Sequence, residues 1–198
     1  VINIKEFIKK KFEKKALSIN ENDKGFFIAV GRLTKQKNFM YLIDEFKKFS
    51  NIYPNEKLFI FGDGELKKEI LRKIESNGMS ENIKLCGYTD NIYKYMLKSK
   101  AFILSSLWED PGFVMIESAM CNLFVISSNC KNGPKEFLLN GKAGMIYKNN
   151  VKEELFKKLD EFKKLDENTK FKRKVLAKKN SRKFTLFRHY LLFSKIID

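Results

Sequence analysis

The sequence predicts an α/β domain, a doubly wound, Rossmann-like parallel sheet of about six strands completed by C-terminal helices. Three observations carry that expectation. Short apolar runs recur along residues 26–147, and the first three stop at a glycine. Stretches with helical spacing separate the runs, as repeated βα units require. The runs are continuously apolar rather than alternating, which suits strands covered by helices on both faces.

Taken in order, Phe26-Phe27-Ile28-Ala29-Val30 reads as the first strand and ends at Gly31. Residues 38–50 follow with Tyr41, Leu42, Phe46 and Phe49 on one helical face. Leu58-Phe59-Ile60-Phe61 is the second strand, closed by Gly62-Asp63-Gly64. Leu66, Ile70, Leu71 and Ile74 then mark a helix. Ile83-Lys84-Leu85-Cys86 is the third strand, stopped by Gly87. Ala101-Phe102-Ile103-Leu104 and Leu123-Phe124-Val125-Ile126 are the fourth and fifth, and Gly144-Met145-Ile146-Tyr147 is a short sixth at the edge. From Val151 the strand signals cease, and Leu155, Leu159 and Phe162 fit an amphipathic helix. This gives three expected regions: a basic linker or packing segment at 1–24, the Rossmann-like unit at 25–150, and C-terminal helices at 151–198. The last apolar stretch, Phe184 to Ile197, is expected to dock on the domain or on a surface outside this chain.

Composition narrows the functional classes. The 198 residues carry 40 Lys and Arg against 24 Asp and Glu, a net charge of +16. Only Arg32, Arg72, Arg173, Arg182 and Arg188 are arginines. Base-reading surfaces favour Arg because its planar fork matches guanine, so the excess of Lys points to a solvated surface or attraction to anionic membrane or pyrophosphate rather than to nucleic acid. Cys86, Cys121 and Cys130 have neither disulfide nor zinc spacing, which suits reduced thiols and a cytoplasmic setting. No apolar run approaches a membrane span. The chain begins at Val1 without an initiator methionine, which suggests a fragment of something longer.

Ligands of such sheets bind at the carboxyl ends of the strands, and the chemistry-bearing residues fall there. Gly62-Asp63-Gly64 lacks the third glycine of a dinucleotide fingerprint, Gly141-Lys142 lacks the rest of a P-loop, and there is no Asp-x-Asp pair to hold a metal. His189, between Arg188 and Tyr190, is given no catalytic role. Two constellations stand out. After the fourth strand comes Ser105-Ser106-Leu107-Trp108-Glu109-Asp110-Pro111-Gly112-Phe113-Val114-Met115-Ile116-Glu117. Pro111-Gly112 is expected to open a helix, with Pro just inside its start. The amides near Gly112, Phe113 and Val114 would then form an anion site at a helix N-terminus. A glutamate on either side suits sugar or ribose diols, because one carboxylate accepts two hydroxyl hydrogen bonds. After the first strand, Gly31-Arg32-Leu33-Thr34-Lys35-Gln36-Lys37 brings two cations to a flexible turn. Gly133-Pro134-Lys135-Glu136 follows the fifth strand.

Together these pieces resemble the C-terminal, donor-binding domain of retaining glycosyltransferases of the GT-B fold, the large family called group 1 or family 4. The resemblance runs from about Gly25 to Tyr147. It implies that Arg32 and Lys37 hold the diphosphate of a nucleotide sugar, with UDP-sugar favoured over GDP-sugar, and that Glu117 binds the ribose. Glu109 would face and orient the transferred sugar, so the catalytic assignments are Glu109, Arg32 and Lys37. Gly31 forms the turn, the Gly112, Phe113 and Val114 amides contact sugar and phosphate, and Gly87, Tyr88 and Thr89 run beside the base. No cofactor and no metal are implied. The resemblance further implies an acceptor-binding N-terminal domain that has no counterpart here, so this chain alone is expected to be inactive. It also implies a cytoplasmic enzyme, at the inner membrane face where its acceptor is lipid-linked, serving bacterial surface polysaccharide synthesis. One departure is local: the family often has Gly after the first glutamate, where Asp110-Pro111 stands here. Sugar-nucleotide epimerases share the architecture and form the alternative enzyme reading. A basic membrane or nucleic-acid module is the alternative from another class.

Overall fold

A computed structural model describes residues 2–13, 25–186 and 190. Six strands form one parallel sheet: β1 (Phe27–Val30), β2 (Leu58–Phe61), β3 (Ile83–Gly87), β4 (Ala101–Leu104), β5 (Phe124–Ser128) and β6 (Met145–Tyr147). Their order across the sheet is β3-β2-β1-β4-β5-β6, and every pairing is parallel. This is the expected doubly wound architecture. The helices are α1 (Ile4–Phe12), α2 (Phe39–Ile52), α3 (Lys67–Ser76), α4 (Tyr93–Lys98), α5 (Phe113–Met120), α6 (Pro134–Phe137), α7 (Glu154–Lys164) and α8 (Glu167–Ser181).

The continuous apolar strands divide between two cores by the two-residue period of β structure. Phe27, Ala29, Leu58, Ile60, Ala101, Ile103, Phe124 and Ile126 face α2, α3 and α7. Ile28, Phe59, Phe61, Phe102, Leu104 and Val125 face the other layer, which α1, α4, α5, α6 and α8 supply with Phe7, Met96, Ile116, Phe137 and Ala177. At the centre of the first core, Phe27 meets Phe46, Phe49 and Phe162 edge-on at 5.6–5.8 Å between ring centroids. Each such buried ring contributes about 1.5–3 kcal/mol relative to exposure.

The details correct several expectations. Leu71 is 39% exposed rather than on the apolar face of α3, because Ile70 and Ile74 alone point inward. Gly87 lies inside β3 instead of after it, and α4 and α6 are short helices without a sequence signature. Within the opening basic segment, residues 4–12 form α1. Asn3 Oδ1 caps α1 by accepting from the Lys5 and Glu6 amides at 3.1 and 3.3 Å, and Phe7 is buried in the second core. Ile2 bridges to Thr185, and Phe184 packs on Phe137, so the two ends of the described chain meet. Leu186 and Tyr190 are exposed. The rest of the C-terminal apolar stretch, with Arg188 and His189, and the segment 14–24 lie outside the described residues. No disulfide joins the three cysteines; Cys121 and Cys130 are buried, and burial pushes the Cys121 thiol up to about 12. Among the described residues no helix is long and apolar enough to cross a membrane.

The strand order reverses between β1 and β4. From β1 the chain winds outward through β2 and β3, then returns to β4 and winds the other way. The loops leaving β1 and β4 therefore diverge and open a crevice at the carboxyl edge.

Candidate functional site

The crevice begins where β1 ends. The Gly31 amide donates to the Phe61 carbonyl at 3.0 Å, and the Gly62 amide donates to the Gly87 carbonyl at 2.8 Å, so three strand ends are laced together. Gly62 has φ of 145°, and a methyl group there would stand 1.9 Å from the Gly31 oxygen. Only glycine lets the two strand ends approach so closely. The chain then turns through a 3-10 turn, Lys35–Lys37, and Lys37 folds back over Gly31, its Cε 2.9 Å from where a Cβ would be. Arg32 is exposed, and among the described residues no carboxylate pairs with it.

The loop after β4 is bound to this turn. Ser105 Oγ donates to the Lys37 carbonyl at 2.7 Å, the Leu107 amide to the Gln36 carbonyl at 2.8 Å, and Gln36 Nε2 to the Trp108 carbonyl at 2.9 Å. Lys37 Nζ meets Glu109 Oε1 at 2.6 Å, and Ser106 Oγ donates to the same oxygen at 2.5 Å. Glu109 is 4% exposed. A charge so far from water is tolerated only when paired and hydrogen-bonded, and this one has both a cation and a hydroxyl.

Pro111 does not occupy the first helical turn, as expected from sequence. It precedes Gly112, which is the N-cap of α5 in the left-handed region, φ 79° and ψ 55°. There a side chain would be strained, and a Cβ would crowd Glu109 Cγ at 3.3 Å. The amides of Phe113 and Val114, in the first turn of α5, lack intrahelical acceptors and carry the positive end of its dipole.

Three residues beyond Val114, on the same face of α5, stands Glu117. Among the described residues its hydrogen-bond partner is a phenol: Tyr93 Oη donates to Glu117 Oε1 at 3.0 Å. Burial raises the Glu117 carboxyl above the usual carboxylate range, opposed by the Tyr93 hydrogen bond and by Lys10. Burial likewise raises the Tyr93 hydroxyl, helped by the nearby Glu117 charge.

These walls enclose two adjoining compartments. One, of about 350 Å³, lies among Phe61, Tyr88, Thr89, Ile92 and Glu117. The other, of about 380 Å³, lies among Gln36, Lys37, Glu109, Gly112 and Phe113. Gly31, Arg32 and Val114 belong to both. Arg32 thus stands at the junction. Of the residues nominated from sequence, Gly31, Arg32, Lys37, Tyr88, Glu109, Gly112, Phe113, Val114 and Glu117 all line the crevice. Gly87 stands behind it, with its carbonyl taken by Gly62. Gly133, φ 112°, backs the loop from the far side, 2.4 Å from its would-be Cβ to the Pro111 oxygen. Sequence reasoning missed Gln36, Ile92 and Tyr93. Gln36 lies within the Gly31–Lys37 turn; Tyr93 sits in a helix of six residues, too short for periodicity to reveal.

Comparison with known proteins gives this geometry its context. The profile of a family described as "Glycosyl transferases group 1" matches residues 9–184. An uncharacterized glycosyltransferase of Methanocaldococcus jannaschii is 40% identical over 152 residues, 70% of this chain and 37% of that protein. The Campylobacter jejuni enzyme N-acetylgalactosamine-N,N'-diacetylbacillosaminyl-diphospho-undecaprenol 4-alpha-N-acetylgalactosaminyltransferase is 33% identical over 134 residues, 68% of this chain and 36% of the enzyme. The chain thus spans little more than a third of the length of these relatives. Among solved structures, Anabaena HepE in complex with UDP superposes with a TM-score of 0.78 at 19% identity, over 88% of this chain and 49% of that one. At that identity the likeness is one of fold.

Proposed function

Because this chain belongs to the group 1 glycosyl transferases, we propose that it is the donor-binding unit of an enzyme that transfers a sugar from UDP-sugar, with retention, to a glycan or lipid-linked acceptor. The observation that carries the reading is the pair of compartments joined at Arg32. A nucleoside diphosphate sugar has the same three-part layout: a flat base with a diol-bearing ribose, a dianionic linker, and a second polyol. The apolar compartment takes the nucleoside, with Tyr88 and Thr89 beside the base and Glu117 accepting from the ribose hydroxyls. Arg32, Lys37 and the Phe113 and Val114 amides take the diphosphate at the junction. The polar compartment takes the sugar, oriented by Glu109. Side-chain cations, rather than a metal, neutralise the linker.

The charge that develops during transfer falls on the leaving diphosphate. Donors already aimed at that position stabilise it without having to reorganise. Lys37 acts twice in this reading, since its ammonium carries three donors: one meets Glu109, leaving others for phosphate oxygen. Glu109 orients the donor and makes no covalent bond to it. Retention is supported by the name of one relative, the Campylobacter enzyme, which specifies an alpha linkage, since common UDP-hexoses carry an alpha bond. That enzyme's name also includes an undecaprenol diphosphate acceptor, which supports a lipid-linked acceptor and a place at the cytoplasmic membrane face in surface polysaccharide synthesis. The acceptor is engaged by a separate unit of the whole protein, consistent with the third or so of its relatives that this chain spans.

Ligand titrations test the assignment by separating the two glutamates. Glu117→Ala is expected to weaken UDP and UDP-glucose alike, by about ten- to a hundredfold, as for a lost hydrogen bond to a charged group. Glu109→Gln is expected to leave UDP nearly unchanged and weaken only the sugar-bearing ligand. EDTA is expected to change neither. If both variants bind both ligands as the parent does, the donor-site reading is wrong.

A further inference from the structure

Glu117 is held from outside the sheet. Tyr93, the first residue of α4, donates its hydroxyl to Glu117 Oε1 at 3.0 Å. Among the described residues Oε2 has no hydrogen-bond partner, and the residue lines the nucleoside compartment. The Tyr93 ring is fixed in turn by α1: Phe7, 6% exposed, meets it edge-on with centroids 4.8 Å apart. The same helix grips the adjacent wall. Asn91, 8% exposed, donates through Nδ2 to the Lys10 carbonyl and to Glu13 Oε2, both at 2.7 Å. Asn91 lies between Thr89 and Ile92, both of which line that compartment. One helix, reached through a separate stretch of chain before β1, therefore braces both the loop beside the base and the carboxylate opposite it.

We propose that Tyr93 is a positioning residue that presents Glu117 to the ligand's ribose, and that α1, through Phe7 and the Asn91 clamp, is the element that sets Tyr93. The proposal rests on the assignment of Glu117 to ribose. Its physical content is preorganisation. A glutamate has three rotatable bonds, and ordering such a side chain on binding lowers affinity. With one carboxylate oxygen already tied to a phenol that is itself wedged by Phe7, the other oxygen is directed at the ligand before it arrives. Tyr93 also acts on the charge. Among the described residues the groups acting with Glu117 are Tyr93 on α4, Lys10 on α1 and Cys121 at the end of α5, and Glu6 of α1 acts on Tyr93. Burial disfavours the ionised carboxylate that a diol needs as acceptor, and the Tyr93 hydrogen bond favours it.

The test is calorimetric titration of this chain with UDP, in the parent, Tyr93→Phe, Phe7→Ala and Glu117→Ala, between about pH 5 and 8. Tyr93→Phe removes one oxygen and keeps the ring and its packing. It is expected to weaken UDP about tenfold. The loss of affinity on acidification should also set in at higher pH than in the parent. Protonation of UDP itself is common to both proteins and cancels in that comparison. A residue that only filled space would leave the pH profile where it was. Phe7→Ala keeps the hydroxyl but frees the ring, and is expected to weaken UDP by a smaller factor. If Tyr93→Phe binds like the parent with the same pH profile while Glu117→Ala is weakened, Tyr93 has no positioning role and the proposal fails. If Phe7→Ala binds like the parent, the part assigned to α1 fails. If Glu117→Ala itself binds normally, the ribose assignment falls and takes the proposal with it.

Discussion

Glu109 and Glu117 flank the same helix start, yet they are held by opposite means. Glu109 is buried against a cation at 2.6 Å and a serine hydroxyl at 2.5 Å. Glu117 is half-buried against a phenol, with its carboxyl raised by burial. On the sugar side the charge is matched within the protein, so removing either partner strands the other. On the nucleoside side the charge is left poorly matched, and a ligand that donates hydroxyls improves it. In the proposed reading the first arrangement supports the fold as well as the ligand, and the second is a cost that the fold carries for binding.

The largest effect that would break this comparison is on the sugar side. Lys37→Met keeps most of the apolar stem that covers Gly31 but leaves Glu109 without its cation. Truncating one partner of a buried pair costs about 3–5 kcal/mol, because the remaining charge stays away from water. Urea unfolding should show a loss of that order, and the double variant Lys37→Met/Glu109→Gln should recover much of it. A loss below about 1 kcal/mol, the range of exposed pairs, would mean that Glu109 is solvated in solution and the contrast is false.

At the junction the effect should fall on binding alone. Arg32 is exposed and no described carboxylate pairs with it, so Arg32→Ala should unfold like the parent. Loss of its contact to the diphosphate should weaken UDP by about 1.5–3 kcal/mol. The remaining affinity should respond less to salt, since one screened charge pair is gone. If the variant binds UDP normally, Arg32 is solvated surface like the many lysines around it.

Much of this was legible in the sequence, for reasons that residues make plain. Five strands are continuous apolar runs that need no context, Gly31 and Gly62 lie at strand ends, and the glutamates lie in the loop and helix that follow β4, where topology must gather them. What stayed hidden depends on contacts between distant segments. Glu109 and Lys37 are 72 positions apart, and nothing local says that they pair. Tyr93 and Phe7 meet across 86 positions and two short elements. Proline is usually favoured in the first helical turn, but Gly112 in the left-handed region takes the cap, so the helix starts at Phe113 and Pro111 lies outside it. Leu71 fitted the apolar spacing of α3 and is exposed, because a helix lying on a sheet needs only a narrow stripe.

The smallest effect tests the nucleoside side, and its sign is the informative part. Burial raises the Glu117 carboxyl above its unfolded value, so the folded chain holds that proton more tightly than the unfolded one. Below the unfolded value, about 4.3, the group is protonated in both states and imposes no penalty. As pH rises toward the folded value, the unfolded chain gives up its proton first, and the parent loses stability until the folded carboxyl also ionises. Above that point the loss is constant. Glu117→Gln keeps an acceptor for Tyr93 and has no charge to desolvate. It should therefore unfold like the parent near the unfolded carboxyl value, gain on it through the interval, and remain ahead at neutral pH. The gain should be about 0.5 kcal/mol, the scale of substitutions at partly exposed positions. The same variant should bind UDP less well, since a neutral amide is a weaker acceptor for the ribose diol than a carboxylate. Stability and affinity moving in opposite directions would mark Glu117 as a charge kept for its ligand. A Glu117→Gln protein that is less stable than the parent at neutral pH, or whose advantage does not change with pH, would place Glu117 with Glu109 among the residues that hold the fold, and the contrast between the two compartments would be gone.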